Sequence, residues 1–267
     1  MNIEVLDKVS TILREVADSV LLRDFRPGKT VDGWEKSAGE IVTKTDRLAE
    51  ATISRRLRDL RPHGIVIGEE AVATRPELLS ALSEPLVWLL DPLDGTRNFA
   101  RGEGPFATML CLLAHGQPVA AWILDPLTGR LVVAERGAGA WDGATRLRCR
   151  KDVRSIAEAT AIVSDAFVPA PLVEWVAALR QRLGAAYPTR RCAGAEYPLL
   201  ADGSRDLIVY WRTLPWDHAA GTLLVEEAGG AVRQLDGSPY RPATPRPGLV
   251  AAASEELLEA VLAFTPD

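Results

Sequence analysis

The sequence predicts an α+β first half followed by an α/β second half, with a soft boundary near residue 150. Three observations carry this. A helical apolar period fills the first 25 residues, short strands with tight turns follow at 106–135, and strands alternate with helices from 161 to 264.

Ile3, Leu6, Val9, Ile12, Leu13, Val16, Val20 and Leu21 recur at helical spacing, so the chain opens with an amphipathic helix. Gly28 and Gly33 mark a loop, and residues 39–46 lead into a second helical pattern that runs to about Leu60 and ends at Pro62 and Gly64. Gly64-Ile65-Val66-Ile67-Gly68 is short and β-branched, a strand that delivers Glu69 and Glu70 at its end. Residues 106–114, 118–125 and 131–135 read as strands joined by tight turns, which implies an antiparallel sheet, and Gly137 to Gly143 reads as a further turn. Beyond it the pattern is strand 161–163, helix 171–183, strand 206–211, helix 217–228, strand 249–252 and helix 254–264. Residues 1–150 therefore form an N-terminal α+β part with an antiparallel sheet, and residues 151–267 a C-terminal α/β part with a mixed sheet.

The 267 residues allow one large domain or two moderate ones, and 47% hydrophobic with 25% charged residues is ordinary for a soluble globular protein. A net charge of −5 without a basic run argues against a nucleic-acid polymer as partner. Cys111, Cys149 and Cys192 are odd in number and widely spaced, neither a disulfide framework nor a C-x-x-C metal site, and fit buried thiols in a reducing compartment. The N-terminus has acidic residues where a signal peptide would be basic, and no stretch reaches the ~18–20 apolar residues of a membrane span. The expectation is a cytoplasmic protein without a membrane partner.

The chemistry centres on Trp88-Leu89-Leu90-Asp91-Pro92-Leu93-Asp94-Gly95-Thr96-Arg97-Asn98-Phe99. Apolar residues run into Asp91, a proline turn follows, and Gly95-Thr96 opens a short helix. Two carboxylates and a helix start then share one small volume. Oxygen ligands suit a hard cation such as Mg²⁺, and a helix N-terminus suits a phosphate. Glu69-Glu70 and Asp217 also stand at the ends of apolar runs. Each acid taken singly also reads as an N-cap or a solvated loop residue. His218 and His115 read as structural, and His63 as exposed.

In their order along the chain, Gly-Glu-Glu, Asp-Pro-Leu-Asp-Gly-Thr and Trp-Asp-x-Ala-Ala-Gly resemble the inositol monophosphatase family of Mg²⁺-dependent, lithium-sensitive phosphomonoesterases. The likeness covers Thr43 to about Gly230. It implies a layered αβαβα fold, two or three Mg²⁺ ions, a small phosphorylated metabolite as substrate and a homodimer. It also implies roles. Glu69 would hold the tighter metal, and Asp91 would bridge two metals, with the Leu93 carbonyl on the first. Asp94 and Asp217 would complete the second. Gly95 and Thr96 would bind phosphate, and Asp46 would pair with Thr96 beside the attacking water. Glu69, Asp46 and Thr96 are thus the catalytic candidates, with Thr43 and Lys36 as weaker helpers in that loop. Four carboxylates within about 5 Å repel by about 3 kcal/mol per pair at an effective dielectric of about 20, so the set requires cations.

The substrate side departs from the family pattern. Arg191-Cys192-Ala193-Gly194-Ala195-Glu196 resembles the family's Arg-x-x-Gly-Ser-Ala-Ala helix start, which places Gly194 and Ala195 at the substrate. Pro198 predicts that this helix starts late or is remodelled. Arg212 stands near where inositol-selective members carry a Glu, and Asp217 would also touch substrate. An arginine there hints at a second anionic group, with pairing to a nearby carboxylate as the alternative. Fructose 1,6-bisphosphate, a 3′-phosphoadenosine nucleotide and histidinol phosphate remain rival substrates. A catalytically idle metal- and phosphate-binding regulator is the rival from another class.

Overall fold

A computed structural model describes residues 3–37, 40–61, 63–153 and 155–264. The first half runs α1 (Ile3–Val16), a π turn (Ala17–Leu21), α2 (Leu22–Asp24), the hairpin β1 (Gly33–Ser37) and β2 (Glu40–Thr43), and α3 (Lys44–Leu60). It continues with β3 (Ile65–Gly68), α4 (Glu69–Thr74), a 3-10 segment (Pro76–Ser83), β4 (Val87–Asp94), α5 (Thr96–Ala100), β5 (Ala107–Ala114), β6 (Gln117–Leu124), β7 (Leu131–Glu135), β8 (Gly139–Asp142) and β9 (Thr145–Arg146). The second half runs β10 (Thr160–Val163), α6 (Val173–Arg182), β11 (Ala185–Tyr187), α7 (Ala193–Ala201), β12 (Leu207–Tyr210), α8 (Pro215–Glu227), β13 (Ala231–Gln234), β14 (Leu249–Ala252) and α9 (Glu255–Leu262).

Seven strands, β3 to β9, lie in sequence order in one sheet, and a second sheet has the order β11-β10-β12-β14-β13. Strand alternation explains how they stack. Trp88 and Leu90 of β4, with Leu110, Leu112 and Trp122, face α1 and α3. Leu89, Met109, Cys111 and Ile123 face the other way, onto Tyr197 and Leu200 of α7 and Ala219 and Leu223 of α8. The same core takes Ile162, Ile208 and Ala251 from the second sheet. That sheet's opposite face, Ala161, Val163, Leu207 and Val250, packs on Trp175 and Leu179 of α6 and Leu257 and Val261 of α9. The result is five layers, helix–sheet–helix–sheet–helix, as the resemblance implied. The middle helix α8 is buried on nearly every side, which accounts for its weak amphipathic pattern.

Four local expectations change. Gly137 to Gly143 holds β8 rather than only a turn, because Gly139 to Asp142 pair with Glu135 to Val132. Partner pairing, more than propensity, makes that strand. The N-terminal sheet is antiparallel except for β3 and β4, which are parallel. Residues 69–86 form the crossover with its helix that a parallel pair requires. Helix α7 starts at Ala193 with Pro198 inside it, so it is not delayed. A nine-residue helix forgoes only the one bond that would reach the Gly194 carbonyl. Helix α8 begins at Pro215, two residues before the predicted start, with the proline at its first position where a missing N–H does no harm. The β1–β2 hairpin, β11 and β13 carry too few residues to show as periods. Pro62 and the side chain of Lys36 lie outside the described residues.

Candidate active site

Strand register brings the first two acids together. Gly68 of β3 is level with Leu90 of β4 in a parallel pair, so Glu69 and Asp91 leave the sheet side by side. Pro92 has no N–H for the ladder, and β4 bulges there: Asp91 pairs with Met109, while Asp94 pairs with Ala107. Asp91 Oδ1 accepts the Leu93 N–H at 2.9 Å, and Thr108 Oγ1 donates to the Pro92 carbonyl at 3.0 Å, which fix the bulge. Gly95 then turns the chain with φ +82°, and a Cβ there would lie 2.9 Å from the Pro105 carbonyl. Asp217 arrives from the first turn of α8.

Carboxylate oxygens of Glu69, Asp91 and Asp217 lie within 4.8 Å of one another. Asp91 is buried, and burial, followed by the charges of Glu69, Asp94 and Asp217, raises its carboxyl well above the usual range. At this spacing each like-charged pair repels by about 3 kcal/mol at an effective dielectric of about 20. An all-oxygen donor set this crowded fits a hard divalent cation. Asp94 stands outside this trio. Its Oδ2 accepts the Gly194 N–H at 2.6 Å, while the residue still lines the same cavity.

Asp46 and Thr96 are in contact. Thr96 Oγ1 lies 3.0 Å from Asp46 Oδ1 and 2.8 Å from the Leu93 carbonyl. Thr43 caps α3 and secures Asp46 Oδ2, with its N–H at 2.9 Å and its hydroxyl at 2.5 Å. Burial pushes the Asp46 carboxyl up to about 7 despite these hydrogen bonds.

Glu50 went unnoticed in the sequence. It accepts the Glu70 N–H at 2.8 Å and the Ala71 N–H at 2.9 Å, and so pins the start of α4 directly behind Glu69. Gly68 makes room for it, since a Cβ there would lie 2.3 Å from the Glu50 carboxylate. The available signal was spacing: Glu50 follows Asp46 by one helical turn, on the buried face of α3 that also carries Ala49, Ile53 and Leu57.

These shifts set a pH dependence. Burial above all raises Asp46, Glu50 and Asp94 to about 7 from ordinary carboxylate values. Groups raised in the folded state stabilise it fully below their unfolded pKa and lose that contribution as pH climbs through the folded value. Metal-free protein is therefore expected to lose stability between about pH 4 and pH 7 and to stay weaker at pH 8. Mg²⁺ is expected to raise Tm more at pH 8 than at pH 5. Thermal melts with EDTA and with Mg²⁺ check this, and equal Mg²⁺ shifts at the two pH values would contradict it.

The acids open into a cavity of about 420 Å³. Gly95, Thr96 and Leu93, next to the acids in the chain, line it, as do Arg97, Phe167, Arg191 and Arg212. Gly194 and Ala195 are not among the lining residues; Cys192 and Ala193 are. Gly194 gives its N–H to Asp94, and its missing Cβ admits Ala107, since an added Cβ would sit 2.6 Å from that side chain. His218 is buried and held at both ring nitrogens, by Tyr197 and by the Arg212 carbonyl, in keeping with a structural role.

A sequence profile described as the inositol monophosphatase family matches residues 2–265. A Thermotoga maritima protein named fructose-1,6-bisphosphatase/inositol-1-monophosphatase is 30% identical over 87% of this chain and 85% of its own. The Pseudomonas aeruginosa protein named Nus factor SuhB is 34% identical over 83% of this chain and 82% of its own. Among solved structures, the extragenic suppressor protein suhB of Bartonella henselae superposes with a TM-score of 0.84 at 24% identity, covering 98% of each chain, and supports the fold. Among the described residues no helix is long and apolar enough to cross a membrane.

Proposed function

From the premise that this chain belongs to the inositol monophosphatase family, we propose that it is a Mg²⁺-dependent phosphatase hydrolysing a small phosphomonoester. The observation that carries the reading is the trio of carboxylates, with oxygens within 4.8 Å, beside the Asp46–Thr96 pair in one cavity. Glu69, Asp91 and Asp217 would hold the cations, with Asp94 and the Leu93 carbonyl completing the donor set. Bound divalent cations supply neutralising charge for the phosphate and acidify water.

The chain's own residues do the rest. Gly95 caps the short helix that starts at Thr96, and the N–H groups there would meet the phosphate with their positive ends. Thr96 Oγ1 takes the proton of the attacking water as its own hydrogen passes to Asp46 Oδ1, 3.0 Å away. A pKa near 7 suits Asp46 to accept a proton at neutral pH and release it again. The new bond joins water oxygen to phosphorus as the ester O–P bond breaks; the ester oxygen leaves with that bond's electron pair and becomes the alcohol by taking a proton from a solvent water, while Asp46 returns its proton to solvent.

The test is phosphate release from a panel of inositol phosphates, sugar phosphates, nucleotide phosphates and histidinol phosphate. Turnover is expected with Mg²⁺ and none with EDTA. A Mg²⁺-loaded protein that turns over none of the panel favours a regulator that binds without turnover. The name Nus factor carried by one relative is the observation behind that second reading.

A further inference from the structure

Arg191 and Arg212 are two of the three arginines that line the same cavity, and a buried side chain anchors the backbone next to each of these two. The Arg212 carbonyl lies 2.9 Å from His218 Nε2, and His218 Nδ1 lies 2.9 Å from the Tyr197 hydroxyl. A carbonyl only accepts, so Nε2 carries the hydrogen and Nδ1 accepts from Tyr197. The Arg212 guanidinium stacks 4.1 Å from the centroid of the Phe167 ring. Stacking holds a guanidinium by its face and directs hydrogen bonding to its edge.

Arg191 is held by the chain beside it. The residue is left-handed, with φ 54°, and its N–H donates to Thr189 Oγ1 at 3.0 Å. Thr189 Oγ1 donates in turn to Glu196 at 2.8 Å, and the Arg190 N–H donates to the same carboxylate oxygen. Glu196 is fully buried, and its other oxygen accepts from the Tyr210 hydroxyl at 2.5 Å. Phe167 is left-handed as well, with φ 60°. Non-glycine residues in this region need surrounding structure to hold them, and such positions cluster at ligand sites. The pairing of Arg191 with Asp165 is long, at 4.0 Å, between two half-exposed side chains. Such a pair leaves the guanidinium able to engage a ligand.

One cavity is thus lined by both the acids and these arginines. We propose that Arg191 and Arg212 form a second anion subsite, so that the substrate is a small phosphomonoester whose organic part bears a further carboxylate or phosphate. The inference rests on the phosphomonoesterase reading above. Arginine offers donors and no acceptor, so the hydroxyl hydrogens of a neutral polyol find no partner on it, whereas an anion is met bidentately.

Two matched pairs of probes, assayed with Mg²⁺, test this. 3-Phosphoglycerate and glycerol 3-phosphate differ by a carboxylate, and fructose 1,6-bisphosphate and fructose 1-phosphate differ by a phosphate. The expected result is a kcat/KM preference above about fivefold for the doubly anionic member of at least one pair, reduced below about fivefold in R191A and in R212A. The pair that shows the preference identifies the second anion. A preference below about fivefold in both pairs, or one that both variants retain, overturns the subsite. Turnover without preference leaves the phosphomonoesterase reading intact, whereas turnover of none of the four removes that reading and the subsite with it.

Discussion

Asp91→Asn is expected to lower Mg²⁺-supported kcat/KM by about a thousandfold or more, a barrier increase of about 4 kcal/mol. The same change is expected to stabilise the metal-free protein at pH 8. Both effects follow from one buried charge. Asp91 sits among Glu69, Asp94 and Asp217, and burial and then their charges raise its pKa. Without a cation the ionised form is unfavourable, and the amide removes that penalty. The Asn Oδ1 can still accept the Leu93 N–H that Asp91 Oδ1 accepts at 2.9 Å, so the bulge keeps its brace. Kinetics with Mg²⁺ and urea unfolding in EDTA measure the two signs. Loss of both activity and apo-stability would make Asp91 a structural residue.

Gly221→Ala is expected to destabilise the fold by about 3 kcal/mol, or a Tm lower by about 6–12 °C for a chain of this size. An added Cβ would lie 2.0 Å from Cδ2 of Tyr197. That ring is fully buried and packs 5.7 Å from the Tyr210 ring, with its hydroxyl on His218, so it has nowhere to move. The change acts where α7 and α8 cross, and α8 carries Asp217, so weaker Mg²⁺ stabilisation should accompany it. A Tm within about 2 °C of wild type would mean that α7 shifts freely against α8.

The same glycine shows what the sequence reveals and what it conceals. Gly221 belongs to Trp-Asp-x-Ala-Ala-Gly, one of the three elements behind the family resemblance, yet its reason is a tyrosine 24 residues earlier in the chain. Motifs at the ends of apolar runs were legible because strand ends and helix starts are local. Asp91, Asp94, Gly95 and Thr96 lie within six residues where β4 passes into α5, and Glu69 follows a β-branched run. Glu50 and Glu196 were not legible in that way. Their partners, the N–H groups of Glu70 and Ala71 and of Arg190, belong to other elements, and a buried acid looks like any acid until the fold is known. The five-layer architecture was expected from the resemblance, while β8 and β13 exist only because neighbouring strands pair with them. Pro198 misled for a related reason: a short helix tolerates a proline that a long exposed one would not.

The central claim is that Glu69, Asp91 and Asp217 form a cation site. Calorimetric titration of Mg²⁺ into EDTA-treated, dialysed protein at pH 7.5 tests it most directly, with Asp217→Asn measured beside wild type in buffers of different ionisation heat. The account predicts Mg²⁺ uptake by wild type with proton release, and binding at least about tenfold weaker in the variant. Equal Mg²⁺ affinity in the two proteins, or no uptake by wild type, would contradict it.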